Sequence, residues 1–439
     1  MPLALGTDTA GSGRVPAGLN NIVGLKPTLG ALSTRGVVPA CRTLDCVSVF
    51  ALTVEDAFSG FAVLAGFDAA DPFSRPVPVG RPGPLPLRVG VPDAASRRFA
   101  GDALSAAAFD ATLADLEAFG ATLVPVDLTP FFAAAALLYD GPWVAERWEA
   151  IRALITTRPE ALHPATRAIT ERATAFSAAD AFAGRYRLAE LRRATEPVWQ
   201  TIDALCVPTF PRPQTLAALA ADPIGPNAEL GTYTNFVNLL DLCALAVPSH
   251  PRGDGAPAGV TLIAPAGRDA ALVPLGDSLH RAGGTRMGAT GAPLPQASET
   301  GPPRAAGDEI ELAVVGAHLS GLPLNGELTS LGARHLRAVT TTPDYRLFAL
   351  PGVGPRRPGL VRVAAGAGTS IATEVWALTP DAFGRFVAAI PSPLGIGTLR
   401  LADGTSPKGF LCEPEGVREA EDVSAHGGWR AYLAAGRAG

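Results

Sequence analysis

The stretch Gly6-Thr7-Asp8-Thr9-Ala10-Gly11-Ser12-Gly13-Arg14 gathers small residues around a single serine. Small neighbours permit sharp turns and close approach of a carbonyl substrate, the setting in which a serine hydroxyl can act as a nucleophile. Successive backbone N–H groups ahead of that hydroxyl can converge on a developing oxyanion, and each such preorganised donor is worth roughly 10²–10³ in rate. Thr9 to Ser12 can make this cradle; composition alone also allows an ordinary Gly/Ser turn. A serine is a weak nucleophile at neutral pH unless an adjacent base takes its proton. Of the 36 basic residues only Lys26 and Lys408 are lysines, so lysine-dependent chemistry has two candidates.

A second polar set, Tyr139, Asp140, Glu146 and Arg147, lies in an apolar helical context. Its plain reading is a solvated Arg147 paired with Glu146 or Glu149. His163 and His280 have no cysteine or carboxylate nearby at metal-ligand spacing, so they read as satisfied or surface histidines, and no metal is implied. The five cysteines, Cys41, Cys46, Cys206, Cys243 and Cys412, are odd in number and contain no C-x-x-C pair, which points to buried thiols rather than a disulfide framework or zinc knuckle.

The elements that would position these residues follow from periodicity. The first fifty residues lack helical period and predict extended backbone and tight turns. Leu87 to Pro92 reads as a buried strand. Asp102 then caps an apolar series at Leu104, Phe109, Leu113, Leu116 and Phe119 that Gly120 ends, and Thr122 to Leu128 is a second strand. Strand, helix, strand is the unit of a parallel sheet. Helices are predicted from Glu149 to Gln200, central strands at Ala204–Thr209 and Gly259–Pro265, and a closing helix over Arg268–Arg281. The 439 residues, at ~150 per domain, allow two or three domains. We read one large α/β domain over 1–284, a Gly/Pro-rich linker over 285–308, and a small β-rich α+β domain over 309–435. In the small domain, strands are expected at 311–317, 345–350, 359–365, 371–378 and 397–404, with a helix at 380–389.

A net charge of −5 supplies no basic field for nucleic-acid phosphates or anionic lipid, which argues against both partners. The apolar run Phe131 to Tyr139 is half the ~18 residues of a membrane span. No charged and apolar leader opens the chain, so a soluble, cytoplasmic protein is expected.

GTDTAGSGRVPAGLNNIVGLKPT, Gly6 to Thr28, closely resembles the second half of the signature of the amidase signature family. The resemblance implies a mixed sheet flanked by helices, Ser12 as nucleophile, and the backbone of Thr9, Ala10 and Gly11 as oxyanion hole. It makes Lys26 part of the scaffold. The family's bridging serine and catalytic lysine both precede the nucleophile, and only eleven residues do so here. The expectation is therefore an amino-terminally truncated chain that is inactive in the amidase step. LLYDGPWVAERW resembles the segment by which the allophanate hydrolase family holds its small carboxylated substrate, which implies Tyr139 and Arg147 on the carboxylate. Thr232 to His250 resembles a scaffold segment of the same fold, with His250 a turn residue.

From Glu311 onward, VVGAHLSGLPLNGELTSLG, DYRLFALPG and GTLRLADGTSPKGFLCE resemble the allophanate hydrolase C-terminal domain, similar to the γ-glutamylcyclotransferase-like fold. There His318 matches a histidine thought to process the first product, N-carboxyurea; a core histidine is the plain alternative. The function implied is hydrolysis of allophanate (urea-1-carboxylate) to ammonia and carbon dioxide, without cofactor, by a homodimer supplied by a urea carboxylase. Two other readings stay open: a catalytically dead binding or assembly module, and another amidase such as an amidotransferase subunit.

Overall fold

The computed structural model describes residues 2–80, 82, 83, 85, 88–296, 305, 309–352 and 355–435. The chain divides into two compact units, Met1–Gln296 and Ala297–Gly439.

The first unit is built on one sheet of eight strands: β1 (Leu3–Asp8), β2 (Val23–Lys26), β3 (Cys46–Ala51), β4 (Arg88–Pro92), β5 (Thr122–Val126), β6 (Ala204–Pro208), β7 (Leu242–Pro248) and β8 (Gly259–Pro265). Their order is β1-β3-β2-β7-β8-β6-β4-β5. β4 pairs in parallel with β5 and β6, and the remaining pairs are antiparallel, so the sheet is mixed. β6 and β7 are buried along their whole length, as central strands covered on both faces must be. The predicted strand–helix–strand unit is present: Asp102 accepts from the Ser105 N–H to cap a helix over Ala103–Ala118, and the chain then returns to β5 in parallel. Leu87, expected to open β4, lies outside the described residues. β7 was not predicted as a strand, because LCALAVP is apolar without alternation and so carries no period-2 signal.

One core lies where β2, β3, β7 and β8 meet the helix Val54–Leu64 and the closing helix Val273–Ala282, with Phe61, Leu116, Leu262 and Leu275 fully buried. A second lies on the opposite side among Phe131, Leu205, Val207, Tyr233 and Phe236. A third, smaller cluster of Cys41, Leu44, Leu138 and Leu239 carries Ala10, Tyr139 and Trp143 at its margin. All five cysteines are free and buried.

The carboxy-terminal unit has a five-stranded sheet and a three-stranded one. Its strands are β9 (Ile310–Val314), β10 (Arg334–Thr340), β11 (Tyr345–Ala349), β12 (Pro358–Arg362), β13 (Ala372–Leu378), β14 (Leu394–Thr398), β15 (Lys408–Cys412) and β16 (Glu421–Asp422). The orders are β10-β13-β9-β15-β14 and β12-β11-β16. The helix Pro380–Ala388 is present, capped by Thr379. The strand expected at 397–404 is instead β14 over Leu394–Thr398, followed by a turn in which Asp403 caps Thr405. β10 went unread because RHLRAVT alternates poorly and carries three charged or titratable side chains. Of the expected linker, 297–304 and 306–308 lie outside the described residues. Its first residues are bonded within the first unit: Asn21 Nδ2 donates to the Arg286 carbonyl (2.8 Å), and the Gly288 N–H to the Asn21 carbonyl (3.1 Å).

Candidate active site

β1 ends at Asp8, and the chain then turns sharply before the short helix Val15–Leu19. The turn is built on the Asp8 carboxylate. It accepts from the backbone N–H of Gly11 (2.7 Å) and Gly13 (3.0 Å) and from Arg14 Nε (2.8 Å) and Nη2 (2.9 Å). Both side chains of this ion pair are fully buried. Burial alone would raise the Asp8 pKa, but the Arg14 charge and hydrogen bonds overcome it and hold the carboxyl below its ordinary value. Arg14 also donates to the Thr234 carbonyl and Asn238 Oδ1, and Asn238 Nδ2 donates to the Asp8 and Leu44 carbonyls. The Asp8 carboxylate, the Arg14 guanidinium and the Asn238 amide are thus matched to one another and to the backbone, as a buried network requires, while the buried Ser48 hydroxyl beside Gly13 has no partner.

Two glycines make the turn possible. Gly11 has φ +134°, and a Cβ there would strike the Thr234 hydroxyl, which donates to the Ala10 carbonyl (2.9 Å). A Cβ on Gly13 would strike the buried Ser48 side chain. On the outer side, Ser12 is exposed, and its Oγ makes no hydrogen bond among the described residues. The N–H groups of Thr9 and Ala10 are likewise undonated there, whereas that of Gly11 is held by Asp8. The Thr9 hydroxyl is fixed by Asp45 Oδ1 (2.5 Å).

Lys26 is fully buried and its Nζ donates to the Pro27 carbonyl (2.8 Å). Lys408 Nζ donates to Thr398 in the other unit. Neither lysine is bonded to Ser12.

Tyr139 and Arg147 are brought together. Arg147 Nη2 reaches the Tyr139 hydroxyl (3.4 Å), and its guanidinium carbon lies 5.0 Å from the Tyr139 ring centroid. Arg147 Nε is buried with no hydrogen-bond partner. The plain reading of Arg147 is corrected here: Glu146 is taken by the Thr43 hydroxyl and N–H, and Glu149 by Arg152, so neither glutamate pairs with it. Tyr139 and Ala10 border the same apolar cluster, which ties the helix Thr129–Asp140, against whose last turn Arg147 lies, to the serine loop. Cys41 belongs to that cluster, but burial pushes its thiol up to about 12 against the pull of Arg147, so it is no thiolate nucleophile. A cavity of about 830 Å³ in this unit is lined by Trp143, Leu188 and Leu239 and not by Ser12, Tyr139 or Arg147.

The remaining histidines sort by surroundings. His250 Nε2 contacts Asp115 Oδ2 (2.6 Å) in the turn after β7, and His163 caps a helix. His280 departs from the expected satisfied or surface histidine: it is buried, both ring nitrogens lack partners, and burial lowers its pKa to about 4. Among the described residues no group of His, Cys, Asp and Glu could hold a metal ion, and no helix is long and apolar enough to cross a membrane.

In the carboxy-terminal unit His318 stacks on Phe410 (5.2 Å, 15°) and meets Phe386 edge-on (5.0 Å, 74°). Its Nε2 lies 2.9 Å from Glu327 Oε2, and Asn325 donates to its carbonyl. Burial lowers its pKa, and Glu327 opposes that shift. A histidine held between two rings with one carboxylate partner is poised for proton transfer and equally stable as core. Sequence reasoning missed Glu327, Asn238 and Asp45. The first is nine residues from His318 and the others come from distant segments, so no local spacing marked them.

Comparison with known proteins gives two family matches: the model described as Amidase over residues 1–273 and that described as Allophanate hydrolase C-terminal domain over 310–434. The chain is 40% identical over 456 residues to a urea amidolyase of Lachancea kluyveri, covering 99% of this chain and 24% of that protein. Among solved structures it resembles Kluyveromyces lactis allophanate hydrolase (41% identity, TM-score 0.76, 99% of this chain and 73% of that one). It also resembles K. lactis urea amidolyase (41%, TM-score 0.77, 99% and 27%). The chain spans about a quarter of the curated urea amidolyases it matches. With the Ser12 turn set on a mixed sheet and both family models matched, the chain belongs to the amidase family and carries an allophanate hydrolase C-terminal domain.

Proposed function

We propose that this chain carries the serine and carboxylate-recognition parts of an allophanate-hydrolysing amidase. One observation carries the reading: Arg147, paired with neither Glu146 nor Glu149 and with its buried Nε unmatched, is held against Tyr139, which borders the apolar cluster that also supports Ala10 of the serine loop. A partly buried guanidinium with no carboxylate partner favours an anion, and its fork fits a carboxylate in a way that a lysine does not. In this reading Ser12 Oγ attacks the terminal amide carbonyl of allophanate, and the Thr9 and Ala10 N–H groups receive the oxyanion, Gly11 shaping the bend. Ammonia leaves, and water releases the acyl group.

Atom balance corrects one expectation. N-carboxyurea is allophanate itself; replacing its terminal NH₂ by OH leaves N-carboxycarbamate, a dicarboxylate. The second unit then acts on N-carboxycarbamate at His318, directing it toward carbon dioxide and ammonia. The free Ser12 Oγ needs a proton acceptor that none of its neighbours here provides, so the chain alone is expected to turn allophanate over slowly. That same observation favours the second reading, a non-catalytic binding module. An amidotransferase role leaves the carboxy-terminal unit without a task. A urea carboxylase as supplier, a homodimer and a cytosolic setting belong to the same proposal.

The test is Arg147→Leu: KM for allophanate should rise far more than for a neutral amide, with Ser12→Ala abolishing ammonia release. Equal effects on both substrates would remove the carboxylate assignment. Ammonia release that survives Ser12→Ala would remove the nucleophile.

A further inference from the structure

Two concavities of the carboxy-terminal unit share a wall. The smaller, about 30 Å³, is lined by His318, Leu324 and Phe410 and has room for about one water. The larger, about 470 Å³, is lined by Arg356, Glu415 and Arg418. Arg357 and Leu394 line both. Arg418 is ion-paired with Glu415. Arg357 is half-buried, and its guanidinium makes no hydrogen bond or ion pair among the described residues. A guanidinium that has given up part of its hydration for nothing in return favours an anion that can meet its fork.

We propose that Arg357 is an anion clamp: it holds one carboxylate of a small dicarboxylate in the larger groove and directs the other end toward His318. The inference rests on the second-step reading above and adds to it the residue that selects the substrate. The two ends of N-carboxycarbamate need opposite surroundings. The end that departs as CO₂ loses its charge, and the apolar faces of Phe410, Phe386 and Leu394 favour that loss. The end that stays keeps its charge, so a guanidinium there anchors the molecule without opposing the reaction. The central nitrogen takes a proton from the imidazolium of His318, whose charge Glu327 and the bound carboxylates favour against burial and the nearby Arg357, and it takes the bonding pair of the breaking C–N bond. CO₂ and carbamate result, and His318 is reprotonated from water.

Malonate is the probe, because its CH₂ replaces the nitrogen and leaves no atom to protonate. In an Arg147→Leu background, which removes the other carboxylate site of the reading, malonate should shift the His318 ring resonances saturably, and chloride at equal ionic strength should not. Arg357→Leu should weaken malonate binding about tenfold or more, and Arg357→Lys less, since an ammonium keeps the charge without the fork. A His318 signal unmoved by malonate in the unmodified carboxy-terminal unit overturns the clamp whether or not the Leu variant folds. So does unchanged affinity in a folded Arg357→Leu. The two readings fail separately: His318→Asn with undiminished CO₂ release from N-carboxycarbamate removes the second-step assignment and leaves the malonate result standing.

Discussion

The serine loop and the His318 site are held in place by opposite means. Behind Ser12 a fully buried carboxylate gathers two backbone N–H groups and a guanidinium, and Asn238 and Thr234 close the network. His318 instead lies between two phenyl rings with a single carboxylate at its edge. The first arrangement fixes backbone direction, which an oxyanion cradle needs; the second fixes a ring plane while leaving its protonation adjustable. Buried charge pairs fail when one member is lost, whereas aromatic packing fails in proportion to the volume removed.

The sharpest way to break that contrast is Asp8→Ala. It strands Arg14 without its partner and should cost about 3–5 kcal/mol in the first unit, seen as a collapse of its denaturation midpoint while the carboxy-terminal unit melts as before. Phe410→Ala removes one face of the His318 sandwich and should cost about 3 kcal/mol in the carboxy-terminal unit. Opening the site to water should also bring the His318 pKa back up toward its ordinary value, measurable by NMR titration.

A third test concerns charge without a partner. His280 stays neutral when folded, with a pKa near 4 against an ordinary 6.5. The unfolded chain binds the proton more tightly, so stability is full above pH 6.5 and falls as pH drops from 6.5 toward 4, by roughly 2–3 kcal/mol. His280→Leu should flatten that part of the pH profile; an unchanged slope would place the acid sensitivity elsewhere. At the small end, Arg152→Ala breaks an exposed pair with Glu149 and should change stability by no more than about 0.5 kcal/mol in urea unfolding.

Legibility followed the range of the interactions. The capped helix after Asp102, the parallel return to β5 and the central strands β6 and β8 all rest on patterns within a few residues, and they were readable. Ser12, Tyr139, Arg147 and His318 were singled out from local composition and resemblance. The Asp8–Arg14 pair was not, although both residues sit inside the quoted motif, because a separation of six matches neither helical nor strand neighbours. The lack of a carboxylate partner at Arg147 and Arg357 could not be read at all, since it depends on where the nearby glutamates turn.

The order of small residues around Ser12 and the hydrophobic periods were sufficient to set a tight turn at that serine and a layered α/β framework, because backbone freedom and amphipathicity are local properties. Tertiary structure alone decided which polar atoms were matched and which were left free. Segments more than two hundred residues apart close over Asp8 and Arg14, and no such closure reaches Ser12 Oγ, Arg147 Nε or Arg357. Pairing within a buried network is a property of the packed whole, so no local pattern shows which groups it leaves unmatched.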